Sequence, residues 1–302
     1  MVIKNAIVVI LYCLKKFRKV CSTFHVLQRL IHRGYVSANF WRQCLKKYNS
    51  DLSRALGSWG FYAGIAGFVV AIIIGASGDI VPMLQMPEMN GLYNGFHAQT
   101  LLTALSSDVM LLCVPILAAL PYTSAFVDDF KSGYLKEYLP RCGQRRYIRG
   151  KVAATAVSGA LVLFIGVIIA YILFALVFTP MELKPDEEMM QMMQPHYFAD
   201  ILGRAFVFAL CGALWSLVGA MLAAVTMSKY MAYASPFIIY YVLVILSERY
   251  IKDVYVLNPK QWLSAGEMWP GGIWGIALLV AQLAAIVAIA YGVRVARRLA
   301  DA

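Results

Sequence analysis

Residues 152–178 read VAATAVSGALVLFIGVIIAYILFALVF, a run without a single charge. About 20 apolar residues carry an α-helix across ~30 Å of hydrocarbon, so this run alone can span a bilayer. Five further windows have the same character, at roughly 58–78, 101–127, 201–226, 234–250 and 272–293. Of the 302 residues, 61% are hydrophobic and 14% charged, a balance that soluble domains rarely reach. The expected fold class is all-α, a polytopic membrane protein with six transmembrane helices. Pro115 and Pro121 should kink the second of them. Ser235-Pro236 reads as the entry to the fifth, since proline in a first turn loses no hydrogen bond.

Charge orients this ladder. Twenty-two of the 27 Lys and Arg residues fall on one side of it, against five of the 16 acids. The three loops on the other side hold five basic and ten acidic residues, and Asp108 falls inside the second window. Cytoplasmic loops retain Lys and Arg, so both termini are expected in the cytoplasm and the chain in the cytoplasmic membrane. The net charge of +11 does not point to nucleic acid. The basic residues crowd beside apolar spans, where they meet anionic lipid headgroups, and no zinc-finger or RNA-binding spacing accompanies them.

Residues 1–56 carry eleven of those basic residues and one acid. Phe40, Trp41, Cys44, Leu45, Tyr48, Leu52 and Leu56 recur at helical spacing, with Arg42, Lys46, Lys47 and Arg54 between them. That pattern predicts an amphipathic elbow helix lying in the membrane interface ahead of the first span. The early apolar run from Ala6 to Leu14 is short, and Lys15, Lys16, Arg18 and Lys19 stand where a signal-peptide cleavage site would be.

Several chemistries find no support. The six cysteines (Cys13, Cys21, Cys44, Cys113, Cys142 and Cys211) form no CxxC pair, so neither a disulfide framework nor a metal site is expected. There is no Walker A loop, so any ATP is bound by another chain. His25, His32, His97 and His196 lie outside the spans, and Asp108 has no second intramembrane acid, so no catalytic residue is expected.

Between the second and third windows lies DDFKSGYLKEYLPRCGQRRYIRGK, residues 128–151. An acidic pair, a glycine turn, a short amphipathic stretch and a Pro/Gly break give a compact element that protrudes from the membrane. A solvated loop obeying the positive-inside pattern would by itself account for Arg145, Arg146, Arg149 and Lys151. The segment nevertheless resembles the corresponding loop in permease subunits of type-2 ABC exporters, where an acid, Ser-Gly and a Leu-rich turn precede Arg/Tyr and a Gly-Lys entry to the third span. The elbow ahead of span one, the short link from Lys229 to Pro236 and Asn258-Pro259-Lys260-Gln261-Trp262 between spans five and six agree with it. The likeness covers roughly residues 40–300.

The resemblance implies that Asp128, Asp129, Ser132, Gly133, Tyr134, Leu135 and Glu137 couple the chain to an ABC ATPase present in two copies, which would carry the ATP and Mg. It also implies a second permease chain, identical or related, faced by the first and fifth spans. Gly60 and Gly64 form a GxxxG pair in span one, which serves either that dimer interface or packing within one subunit. An acid inside a span is a functional candidate by default, so Asp108, with Ser107 beside it and Arg204 as a partner at similar depth, could line the translocation path. A structural ion pair explains the same residues. Met83, Met86 and Met89, and Met189, Met190, Met192 and Met193 ahead of His196, suit an adaptable lid over a passage better than a Cu(I) site. The expected cargo is amphipathic or hydrophobic: a peptide, an antimicrobial or a lipid-like compound. A secondary transporter or channel, and a sensor or anchor that moves nothing, remain as alternatives.

Overall fold

The computed structural model describes residues 50–85, 96–177, 197–250, 256, 258–264, 269 and 271–301. Among these, every regular element is a helix: α1 (Ser50–Leu56), α2 (Trp59–Gly75), α3 (Ser77–Gln85), α4 (Phe96–Leu105), α5 (Asp108–Ala119), α6 (Ala125–Lys131), α7 (Tyr134–Cys142), α8 (Gln144–Val177), α9 (Tyr197–Thr226), α10 (Lys229–Arg249), α11 (Pro259–Ser264) and α12 (Gly272–Ala300). Four of them, α8, α9, α10 and α12, are long and apolar enough to cross a membrane. A fifth crossing is formed if α4 and α5 together make one bent span. The apolar helix α2 has 17 residues, at the short end of what a bilayer needs. Of the expected elbow, only α1 lies among the described residues; Phe40, Trp41, Cys44, Leu45 and Tyr48 lie outside them.

Window 101–127 is not one kinked helix. It breaks at Ser106-Ser107, where α4 and α5 meet at 70°. The hydroxyl of Ser106 donates to the Leu102 carbonyl (3.2 Å), and that of Ser107 to the Ala104 carbonyl (2.7 Å). The Ser107 oxygen also accepts from the Met110 amide at 3.4 Å, capping α5. Two adjacent serines thus close one helix and open the next, as short hydroxyl side chains can. Pro115 is accommodated within α5, while Pro121 stands in the turn after its end, where a missing N–H stops the ladder.

Helix α9 is the axle of the molecule. It packs against α8, α12, α10 and α5, and 67% of its most apolar stretch is buried, against 17% for α12 at the periphery. Leu278, Ile286 and Ile289 on α12 are exposed apolar side chains of the kind that lipid covers. The α8–α9 crossing is close because both sides are small there. A Cβ on Gly212 would collide with the Gly159 carbonyl, and Ser216 donates to the Thr155 carbonyl at 3.1 Å.

Gly60 and Gly64 likewise face their own chain. A Cβ on Gly60 would strike the Leu120 carbonyl, and one on Gly64 would come within 2.9 Å of Val162 Cγ1 and 3.2 Å of the Leu117 carbonyl. The GxxxG face seats α2 on α5 and α8, which is the packing within one subunit that the sequence left open beside a dimer interface. Gly60→Val should therefore push α2 from backbone that cannot yield, at about 1–3 kcal/mol. The check is thermal unfolding beside oligomeric state: an altered oligomer at unchanged unfolding temperature would return the pair to an interchain role.

Candidate functional site

Residues 125–142 fold into a short helical hairpin. Helix α6 stops where the Ser132 amide donates to the Asp128 carbonyl (3.0 Å), and Gly133 follows with φ +75°, a left-handed turn that glycine adopts at little cost. Gly143, at φ +79°, makes the second corner into α8. The hairpin is anchored from within: Leu135 is buried in a cluster with Phe126, Tyr147, Leu217 and Tyr291. Tyr134 is exposed, stacks on Tyr138 with centroids 5.0 Å apart, and lies beneath the Arg54 guanidinium at 5.7 Å.

Beneath the hairpin sits a buried ion cluster. Lys151 has no exposed surface, and its Nζ lies 2.7 Å from Asp129 Oδ2, 3.0 Å from Asp51 Oδ1 and 2.8 Å from the Tyr122 hydroxyl. The Tyr122 hydroxyl in turn donates to Asp51 Oδ1 (2.8 Å), and the Tyr147 hydroxyl donates to Asp129 Oδ2 (3.1 Å). From the half-exposed rim, Arg54 donates two bonds of 3.3 Å to Asp129 Oδ1. Partial burial works against the Arg54 charge, and Tyr122, Asp129 and Asp51 outweigh it, so its pKa is raised above the ordinary arginine value.

Two carboxylates thus face two cations, and the phenols take up remaining donor and acceptor capacity. Burying such a group is tolerable only when every charge is matched in this way. The cluster ties four pieces of chain together: α1 through Asp51 and Arg54, the turn after α5 through Tyr122, α6 through Asp129, and α8 through Tyr147 and Lys151.

The adjacent aspartates of the 128–129 pair diverge. Asp129 points into the cluster, whereas Asp128 turns outward, pairs with Lys229 at the start of α10 and accepts from the Ser124 hydroxyl at 3.0 Å. Ser132 and Glu137 are exposed on the hairpin. Outside the hairpin, a groove of about 630 Å³ runs between Phe130, Leu135, Leu139 and Leu299, with Lys131 and Lys136 exposed on its rim.

At the other end of the bundle, Asp108 and Arg204 do not meet. Asp108 begins α5, is 87% exposed and lies 3.9 Å from Lys260, which also pairs with Glu248 at 3.1 Å. Arg204 donates to the Leu263 carbonyl at 2.7 Å. Both therefore reach α11 and not each other, because the break at Ser106-Ser107 swings Asp108 away from the line of a straight helix. Ser107 serves as the cap of α5. Met86, Met89, Met189, Met190, Met192, Met193 and His196 lie outside the described residues.

By charge alone Lys151 is one more positive-inside residue, and the sequence pattern does not single out Asp51, Tyr122 and Tyr147. The available signal was Asp51 itself, the single acid among eleven basic residues, together with a lysine one helical turn beyond Tyr147 at the mouth of an apolar run. Compared with protein-family models, with curated proteins and with solved structures, the chain matches none.

Proposed function

We propose that this chain is the transmembrane permease subunit of an ATP-driven ABC exporter, itself non-catalytic, working with a second permease chain and two copies of a separate ATPase. On this reading it lies in the cytoplasmic membrane with six crossings, supplied by α2, the bent pair α4–α5, α8, α9, α10 and α12, and with both termini in the cytoplasm. The observation that carries the reading is the α6–α7 hairpin: a compact projection with an apolar groove and a lysine rim, fastened to the long helix α8 by a buried ion cluster.

Such a fastening gives the hairpin a mechanical use. A partner that moves α6 moves Asp129, and with it Lys151 on α8 and Asp51 on α1, since separating them would strand buried charges. The close Gly159–Gly212 crossing then hands motion of α8 on to α9. The exposed apolar faces suit lipid and an amphipathic or hydrophobic cargo. The 70° break between α4 and α5 favours a second reading, a secondary carrier with a discontinuous helix.

Purification of the tagged full-length chain from its own membranes in a mild detergent separates the two. Recovery of a nucleotide-binding ATPase whose hydrolysis rises in the complex is the expected result. A lone chain that moves substrate in proteoliposomes without ATP would instead establish the carrier.

A further inference from the structure

Among the described residues, the hairpin end of the bundle carries six arginines that no carboxylate answers. Asp51, Asp128 and Asp129 are engaged by Arg54, Lys151 and Lys229. Among the described residues no ion pair reaches Arg145, Arg146, Arg149, Arg294, Arg297 or Arg298, and Asp301 makes none with its neighbours.

Two of the six differ from the others. Arg145, Arg146, Arg149 and Arg297 are exposed, as ordinary positive-inside residues are, but Arg294 and Arg298 are half-buried. They share a face of α12 with Tyr291 and Val295, which pack in one cluster with Leu217, Ala220 and Ala224 of α9. The Nε atoms of both arginines are buried and have no partner, while Arg298 Nη2 donates to the Val225 carbonyl in the last turn of α9 (2.9 Å). That bond orients one fork, and among the described residues most donors of the pair meet no protein acceptor. A buried N–H on a charged group is costly to leave unmatched. Two planar forks one turn apart, about 5–6 Å at their Cβ atoms, suit the several oxygens of one phosphate.

We infer that Arg294 and Arg298 together hold a phosphate-bearing anion at the α9–α12 seam, either a phospholipid headgroup or free phosphate. The position favours the lipid: the seam opens at the end of two helices long enough to cross a bilayer, where headgroups lie. This inference needs α9 and α12 to span a membrane, and does not need the chain to export anything. Leu299, the next residue, forms one wall of the hairpin groove, so an occupant of the seam borders that groove.

The test is the unfolding temperature of the full-length protein in nanodiscs. Moving it from phosphatidylcholine to a mixture with phosphatidylglycerol should raise the midpoint by a few degrees, as a ligand of the folded state does. R294Q/R298Q should lose the rise, whereas R145Q/R146Q, with the same change of charge on exposed residues, should keep it. A rise produced by inorganic phosphate in phosphatidylcholine alone identifies free phosphate as the occupant of the same site. No rise with either probe, a rise undiminished in R294Q/R298Q, or one lost equally in R145Q/R146Q overturns the site. Should R294Q/R298Q not fold, R294K/R298K, which keeps the charge and loses the forks, takes its place and is held to the same outcome.

Discussion

Lys151→Met is expected to destabilise the protein by about 3–5 kcal/mol, the range seen when one member of a buried ion pair is removed. The methionine fills much the same space, so packing is not the cause. The loss comes from Asp51 and Asp129, both almost fully buried, which would then face each other with only Arg54 and two phenols in reach. Thermal unfolding in detergent, with the yield of monodisperse protein beside it, reads the effect. The sign of the argument is tested by adding Asp51→Asn and Asp129→Asn to the same variant. Removing all three charges should restore most of the lost stability, because a neutral buried group costs far less than an unpaired ion. A single Lys151→Met variant that unfolds at the wild-type temperature would mean that water reaches the cluster, and the tie between hairpin and α8 would then rest on the apolar packing of Leu135 against Tyr147.

The same cluster shows where the sequence stops being informative. Apolar runs are visible in one dimension, because a membrane span announces itself by length and lack of charge, and α8, α9, α10 and α12 lie on those runs, although α10 starts at Lys229 and carries Pro236 in its interior and not at its entry. Asp128 to Glu137 could likewise be read as a compact turn, since Ser-Gly at a helix break is a local signal. Burial of a charge has no such local signature. Lys151 counts as one positive charge on its side of the membrane whether it is solvated or enclosed, and its partners lie 29 residues away at Tyr122 and in the lead-in at Asp51. The GxxxG pair at Gly60 and Gly64 stated that some backbone comes close, but not that the backbone is Leu117 to Leu120 of the same chain. For Asp108 the missing information is geometric: a shared depth with Arg204 supposes a continuous helix, whereas the chain breaks at two serines whose hydroxyls return to carbonyls three and four residues back.

The second large effect concerns the groove. If an ATPase grips the hairpin, Lys131→Glu combined with Lys136→Glu should cut its co-purification more than tenfold, equivalent to a loss of at least ~1.4 kcal/mol of association. Leu135 is the wrong residue to change for this purpose, since it is buried beside Phe126 and Tyr147, and a charge there would damage the hairpin itself. Lys131 and Lys136 are exposed on the rim and make no ion pair among the described residues, so reversing them should leave the unfolding temperature within the small range of surface substitutions. A partner complementary to a lysine rim presents acids, and like charges brought together at an interface cost several kcal/mol, which is why reversal is a sharper probe than neutralisation. The matched control is Arg145→Glu with Arg146→Glu, which makes the same change of net charge outside the groove. Equal loss in both variants would show diffuse attraction to a basic surface. Undiminished recovery in the groove variant would show that the ATPase docks elsewhere, and the hairpin would lose its role as the handle through which the spans are moved.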